Sequence, residues 1–250
     1  MSKDAFWALI QEAKTACGQD LDAMEDYLRE RLVSMGPAAA KDFHDILQAY
    51  EDLADQYGLW DAASVIKEYG CSDDGFIDFR AWLIAQGRDV YMNALKDPDT
   101  LADIQPYGDC SFERIAYVGE CAYEQLTGRS INAEMEYAAF YALRDELEKD
   151  IVYKDGDPNT PREPKDLPRF LPRLCEKYGG PERFLAAPSA WNYDLHEIRR
   201  LLDEGKVQDM ATKKEKGGAL GERGIRHRRG PRLRSHENCP RFLPLGAGGL

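Results

Sequence analysis

The side chains best suited to chemistry lie in one acidic and aromatic stretch, residues 59–101. Its carboxylates could bind a cation or exchange protons, and its guanidinium groups could bind an anionic group with an aromatic ring packed beside it. The same charges could instead form internal ion pairs that tie neighbouring helices together. Both interpretations are kept, and this stretch is taken as the candidate binding site. Its candidate residues are Asp73, Asp74, Asp78, Arg80, Trp82, Arg88, Tyr91, Asp97 and Asp99.

An acidic turn early in this stretch has part of the pattern of a calcium-binding EF-hand loop. Aligning Gly75 with the loop's glycine at position six places Asp74 and Asp78 at positions five and nine. The same alignment places Gly70 at position one and Ala81 at position twelve, where the loop requires carboxylates. Aspartates that cap a helix start explain the same residues. We therefore predict no calcium site and, more generally, no metal ion and no cofactor.

The cysteines are spread along the chain without the close pairing typical of zinc sites or disulfide scaffolds. We predict that they are reduced thiols and mostly buried. Cys71 is a second candidate for chemistry, because a nearby helix N-terminus would lower its pKa and activate it as a nucleophile. Neither His44 nor His196 is predicted to lie beside it, so a structural role is favoured. The six cysteines are Cys17, Cys71, Cys110, Cys121, Cys175 and Cys239.

The overall composition predicts a globular protein with a strongly acidic body. Hydrophobic residues make up 43% of the 250 residues, and aromatic residues make up 10%. Residues 1–205 contain 22 Lys and Arg against 41 Asp and Glu, a net charge of −19. Such a body repels phosphate backbones, so nucleic acid is not expected to bind it. No apolar run reaches the ~18 residues of a membrane-spanning helix, and we expect a cytoplasmic protein without membrane contact.

Amphipathic helices must position these side chains. Apolar residues recur every three or four positions throughout residues 1–150, which predicts helices with one buried face. Three such helices, separated at Gly18 and Gly36, precede the central stretch, which itself divides at Gly70 and Gly87. No segment shows the alternating pattern of a β-sheet. We therefore predict an all-α fold, a single compact bundle of about eight to ten helices.

Changes in composition divide the chain into four parts. Residues 1–150 form the predicted helical domain, and residues 151–166 form a proline-rich loop. Residues 167–205 are predicted to supply accessory helices that dock on the bundle. Residues 206–250, with 11 Lys and Arg against 4 Asp and Glu, are predicted to be a disordered basic tail. Alternatives for the tail are contact with nucleic acid and translation in a shifted reading frame of a GC-rich gene.

Several separated motifs agree in order with those of a known family. They are Gly70-Cys71-Ser72-Asp73-Asp74, Asp78-Phe79-Arg80, Trp82-Leu83-Ile84, Gly87-Arg88, Asp97-Pro98-Asp99, the N-terminal Phe6-Trp7 and Ala122-Tyr123-Glu124 followed by Thr127-Gly128. Together they resemble the bacterial domain-of-unknown-function 4240 family (DUF4240) over about residues 1–130. The resemblance implies a small bacterial helical domain and carries no assigned activity.

These observations predict a protein-interaction or regulatory module whose partner is another protein. The alternative is an enzyme that acts through the aspartates, the arginines or Cys71. Catalytic side chains would converge in one pocket, whereas structural ones would be consumed by helix caps and ion pairs. A hinge at Gly87 would fold residues 71–99 back on themselves and bring Arg80 and Arg88, with the two aromatic candidates, close to both acidic turns.

Overall fold

The computed structural model describes residues 1–67, 70–105, 110–131, 136–157 and 160–180. Of these residues 74% are helical, and none lies in a β-strand. The prediction of an all-α fold is therefore confirmed. The apolar residues from Trp191 to Leu202, which belong to the predicted accessory helices, lie outside the described residues. The predicted basic tail, residues 206–250, lies outside them as well.

The helices follow the apolar stripes of the sequence. In chain order they are α1 (Lys3–Cys17), α2 (Leu21–Met35), α3 (Pro37–Leu53), α4 (Tyr57–Ile66), α5 (Asp73–Ala85), α6 (Arg88–Lys96), α7 (Ile115–Thr127), α8 (Tyr137–Glu148), α9 (Leu167–Phe170) and α10 (Pro172–Lys177). The described ranges also contain two 3-10 helices with defined bounds at both ends: η1 (Pro98–Asp103) follows α6, and η2 (Pro164–Asp166) precedes α9. Within the described part of the chain, no helix combines the length and apolar character that crossing a membrane requires.

The start of α5 depends on a short polar side chain. Ser72 is the N-cap, and its Oγ accepts a hydrogen bond of 3.1 Å from the backbone N–H three residues later. Asp73 and Asp74 therefore lie in the first helical turn, where a carboxylate interacts favourably with the helix dipole. The preceding helix, α4, ends earlier than predicted. Its cap position is taken by Lys67, and Gly70 lies beyond it in the connection to α5.

Helix α3 lies at the centre of the bundle and packs against α1, α2, α5, α7 and α8. Its closest neighbour is α7 at Gly119. A Cβ added there would lie 2.8 Å from the His44 Cβ and 2.9 Å from the Ala40 carbonyl oxygen. Arg114, immediately before α7, pairs with Asp22 in the first turn of α2, so the N-terminal ends of these two helices lie together.

An aromatic cluster joins α1, α3 and α6. The Trp7 Nε1–H donates a hydrogen bond of 3.0 Å to the Tyr50 hydroxyl, and the Tyr91 hydroxyl donates one of 2.7 Å to the Tyr50 carbonyl. The ring centroids of Trp7 and Tyr91 are 5.4 Å apart. The polar groups of these three rings are thus paired, as a low-dielectric core favours.

After α8 the chain returns across the bundle as a segment that we call the strap, residues 153–157 and 160–178. Near the start of the strap, the Lys154 N–H donates a hydrogen bond of 2.9 Å to the Leu95 carbonyl. Helix α10 then packs against η1 and α4. The apolar residues that the strap buries are Leu167, Leu171, Leu174 and Cys175.

Candidate functional site

The acidic turn of the central stretch is split between solvent and structure. Asp73 and Asp74 are exposed at the start of α5. Asp78, one turn later, is half-buried and holds the segment that leads into α7. Its Oδ2 accepts a hydrogen bond of 3.2 Å from Ser111 Oγ, and its carbonyl accepts one of 3.2 Å from the Phe112 N–H. Asp78 therefore positions a neighbouring segment of the fold.

Arg80 turns away from the acidic turn toward the end of α3. Its guanidinium donates a hydrogen bond of 3.0 Å to the Glu51 carbonyl and lies 3.5 Å from an Asp55 carboxylate oxygen. It also lies over the Phe76 ring, 5.0 Å from the centroid. A guanidinium in this position satisfies a carbonyl at a helix C-terminus and packs on an aromatic face. The arrangement links α5 to α3.

The two aromatic candidates lie in the core. Trp82 is 1% exposed and Tyr91 is 0% exposed, and Tyr91 donates its hydroxyl proton to α3 as described above. Burial raises the pKa of Tyr91 well above its usual value. Neither ring offers a surface to a partner, so both act on packing and stability in this structure.

Arg88 lies at the start of α6 and is directed to the N-terminal end of the chain. Its guanidinium is 3.6 Å from a carboxylate oxygen of Asp4 and 3.6 Å from one of Asp150. Lys3 lies 2.7 Å from the same Asp150 carboxylate, and this hydrogen bond is the main reason that the Asp150 pKa is lowered. Arg88 therefore joins α1, α6 and the end of α8. Its two carboxylate partners belong to neither acidic turn.

The second acidic turn serves the strap. Asp97 Oδ1 accepts hydrogen bonds from the Asp99 N–H and, at 2.8 Å, from Lys154 Nζ. Asp99 is 7% exposed, and its Oδ1 accepts hydrogen bonds of 3.1 Å from the Arg173 N–H and 3.0 Å from the Leu174 N–H. These are the second and third residues of α10, so Asp99 caps that helix from a distance.

The structure thus places the nine candidate residues in separate environments. The ion pairs of Arg80 and Arg88 differ from the expected pairing with the acidic turns, although Arg80 does lie over the Phe76 ring of the first turn. Their ion pairs are made with Asp55 for Arg80, and with Asp4 and Asp150 for Arg88. The Gly87 hinge does turn the chain, with φ of 94°, but it directs Arg88 toward α1.

A buried charge cluster that the sequence interpretation missed fastens the strap to α4. Asp61 is 2% exposed, and its carboxylate accepts hydrogen bonds of 3.0 Å from the Arg162 N–H and 2.9 Å from the Arg162 guanidinium. Asp157 accepts a hydrogen bond of 3.2 Å from the Gly58 N–H and lies 3.3 Å from the same guanidinium. The guanidinium carbon is 3.3 Å from the centroid of the Phe170 ring. We call these residues the latch.

Burial raises the pKa of Asp61 to about 6, although the hydrogen bonds and charge of Arg162 act to lower it. Desolvation penalises the ionised carboxylate more than a single guanidinium compensates. The signal in the sequence was a lone aspartate between Trp60 and Ala62 in an otherwise apolar helix. Its partner could not be found by spacing, because Asp61 and Arg162 are separated by 101 residues.

The strap covers an acidic surface formed by α4 and η1. Four basic strap residues meet it, and each has an acceptor. Arg162 meets Asp61, Lys154 meets Asp97 and Arg173 meets Asp103, while Lys177 Nζ donates to the carbonyls of Ala102 (2.8 Å) and Ile104 (2.7 Å). We call this surface the receptor groove. Its acidic residues are Asp61, Asp97, Asp99 and Asp103.

The comparison with known families follows this geometry. The family described as "Protein of unknown function (DUF4240)" matches residues 1–125, half of the chain. The chain belongs to the DUF4240 family. Among curated proteins and among solved structures, no match is found. All residues of the receptor groove lie inside the DUF4240 match, whereas the whole strap lies after it.

A second concavity, of about 300 Å³, lies between α2 and α7 of the DUF4240 domain. Arg114 lies 3.3 Å from the Glu25 carboxylate across it, and burial raises the Glu25 pKa. The pairing leaves little net charge at its mouth. It is lined by Glu25, Arg29, Glu113, Arg114, Tyr117, Val118 and Cys121.

The cysteine hypotheses have mixed outcomes. Cys17, Cys71, Cys110 and Cys175 are free thiols, as expected, but Cys121 is disulfide-bonded, which contradicts the expectation of reduced cysteines. Cys239 lies outside the described residues. Burial raises the pKa of Cys71 to about 11, so desolvation outweighs any effect of the adjacent helix N-terminus. Among the described residues, no group of three or more His, Cys, Asp and Glu side chains is arranged to hold a metal ion.

Proposed function

We propose that this DUF4240 protein is a non-enzymatic protein-interaction or regulatory module of the cytoplasm. The proposal rests on one observation: the polar residues of the central stretch make contacts that hold the fold together. Asp78 holds the segment before α7, Arg80 and Arg88 link helices, and Asp97 and Asp99 hold the strap. Side chains that make these structural contacts build a rigid scaffold. Among the residues that the structure describes, they do not converge into a catalytic set.

The alternative, an enzyme, has weaker support in the same geometry. A nucleophilic cysteine requires a thiolate, and a Cys71 thiol with a pKa of about 11 is protonated at neutral pH. Asp61 has the perturbed pKa that a general base requires, but both of its carboxylate oxygens accept hydrogen bonds from Arg162. The Asp61 carboxylate therefore serves to hold the strap.

The acidic surface favours a basic partner. Asp73 and Asp74 are exposed at the first turn of α5 and belong to a body of net charge −19 over residues 1–205. Complementary charge accelerates association and excludes other acidic proteins. We therefore infer a protein partner with a basic contact surface, and we assign its contact to the exposed turn formed by Asp73 and Asp74.

The experiment captures partners with the full chain from an extract of the producing cells, and then titrates each purified candidate against the full chain by calorimetry. Asp73→Asn/Asp74→Asn is expected to weaken the measured binding about tenfold, because two exposed charges are removed from the contact. Asp26→Asn/Glu30→Gln, which neutralises two exposed carboxylates on α2, is the matched control and should bind like the wild type. If no purified protein binds saturably, the proposed function is wrong. Equal weakening by both double variants would refute the role of the turn.

A further inference from the structure

We propose that the receptor groove is a docking site for a basic amphipathic helical segment, and that the strap is its intramolecular occupant. The strap would then regulate access of a partner segment of the same chemistry. This inference rests on the proposed interaction function and names the site and its control. The partner is a protein segment that carries apolar residues on one face and Lys or Arg beside them.

Charge complementarity is the first argument. The receptor groove presents Asp61, Asp97, Asp99 and Asp103, and the strap presents Lys154, Arg162, Arg173 and Lys177. Every one of these basic side chains contacts an acceptor on the DUF4240 domain. The strap carries six basic residues against five acidic ones, so these four paired cations, and not its net charge, indicate what the groove binds.

The apolar spacing of the strap is the second argument. Leu167, Leu171 and Leu174 follow one another at intervals of four and three residues, and all three are buried. They lie on two short helices that meet at Leu171, where φ is −127° and ψ is 59°, so a bent segment presents these apolar anchors. The ring of Phe170 reaches the α4 backbone at Gly58, where an added Cβ would lie 3.2 Å from it. An added methyl group would therefore force the Phe170 ring to shift by a few tenths of an ångström, which shows how closely the strap packs on α4.

Recognition of main-chain N–H groups is the third argument. Asp99 accepts hydrogen bonds from the N–H groups of Arg173 and Leu174, and Asp61 accepts one from the Arg162 N–H. Contacts with the backbone do not depend on the side chains of the occupant. A different segment with a helix start and a basic residue in these places would satisfy the same carboxylates.

Tethering makes the strap a strong competitor. A segment held on a short linker has an effective concentration on the order of millimolar, so a free partner must overcome it. The latch closes the N-terminal part of the strap, and Asp155 and Gly156 just before it are exposed. Release of this end would free the groove while the DUF4240 domain stays folded.

The test uses the full chain with a protease-cleavage sequence inserted between Asp155 and Gly156. The chain folds intact, is then cut, and is titrated with a fluorescent peptide of residues 160–180. We expect the cut protein to bind the peptide and release its own C-terminal fragment, and the uncut protein to bind it at least about a hundredfold more weakly. No exchange after cutting would overturn the proposal, because the strap would then be a permanent part of the core.

Two variants make the test specific. Asp99→Asn in the cut protein is expected to weaken peptide binding about tenfold, because a charged acceptor of two N–H groups becomes a neutral one. Asp145→Asn, an exposed carboxylate on α8, is the control and should bind the peptide like the wild type. Equal affinity in the Asp99 variant and the control would overturn the assignment of the groove.

A designed peptide tests the class of partner. It keeps the apolar and basic positions of residues 160–180 but replaces each Leu by Ile and each Arg by Lys. Binding within about tenfold of the native peptide supports recognition of the chemical class, and no binding overturns it. These peptide results are independent of the capture experiment. Peptide exchange without any captured partner would refute the proposed function and leave the contact between groove and strap intact.

Discussion

Asp61 and Asp99 show how single residues organise this protein. Both carboxylates are almost fully buried, at 2% and 7% exposure, and both accept hydrogen bonds from backbone N–H groups of the strap. Burying an ionised carboxylate is costly unless hydrogen bonds and an opposite charge compensate it. Asp61 obtains part of this compensation from Arg162, whereas Asp99 obtains hydrogen bonds from the first turn of α10. The strap is thus held at its two ends by different chemistry.

The raised pKa of Asp61 predicts a pH-dependent stability. Its pKa of about 6 in the folded state exceeds the ordinary value of 3.8, so the folded state binds the proton more tightly than the unfolded state. Its contribution is fully present below pH ~4 and is lost as the pH rises through ~6, a change of roughly 3 kcal/mol. Urea unfolding of the wild type and of Asp61→Asn at pH 5 and pH 7 measures it. The difference between the two proteins should change with pH in that direction, and a constant difference would contradict the prediction.

Tyr91 provides a second prediction at this scale, because it was a candidate binding residue and lies in the core. Tyr91→Phe removes a hydrogen bond of 2.7 Å to the Tyr50 carbonyl and should lower the free energy of unfolding by about 1 to 2 kcal/mol. Tyr27→Phe removes an exposed hydroxyl that bonds to Glu12 and is the matched control, with an expected change below about 0.5 kcal/mol. Chemical denaturation compares them. Equal stability of Tyr91→Phe and the wild type would refute the structural role.

At the scale of elements, α3 and α7 approach each other closely where they cross at Gly119. Gly119→Ala places a methyl group 2.9 Å from the Ala40 carbonyl, where backbone cannot yield. We expect a loss of about 1 to 3 kcal/mol from overpacking, despite the better helix propensity of alanine. Thermal unfolding measures it.

Gly75→Ala is the control for that substitution. It is also a helical glycine, but its added Cβ would meet only the Ser72 Oγ at 3.2 Å and the Cys71 Sγ at 3.6 Å, which are side-chain ends. The variant should therefore be as stable as the wild type or slightly more stable. If both variants lose the same stability, the close approach of α3 and α7 is not the cause.

For the whole molecule, the sequence was sufficient for what depends on local pattern. The all-α fold and the start of α5 near its aspartates follow from apolar spacing and capping chemistry, which act within a few residues. The pairing of Arg88 with Asp150 and of Asp61 with Arg162 depends on tertiary contact across 62 and 101 residues of chain. No periodic signal encodes such a choice of partner. The prediction of local pairing around Gly87 was wrong for this reason.

Two truncations test how the parts of the chain contribute to the whole. The core described here is completed by the strap, since Leu171, Leu174 and Cys175 are each 0% exposed. Ending the chain at Asp150 removes them and uncovers the apolar side of the receptor groove, so its Tm should fall by several degrees or more. Ending it at Gly205 removes the predicted basic tail, residues 206–250, and with Cys121→Ser introduced in both the long and the shortened chain it should leave the Tm unchanged. Addition of the peptide of residues 160–180 should raise the Tm of the chain that ends at Asp150 and not that of the chain that ends at Gly205, because ligand binding stabilises only a protein with an open site. An equal response of the two chains would show that the strap does not fill the groove that the peptide binds.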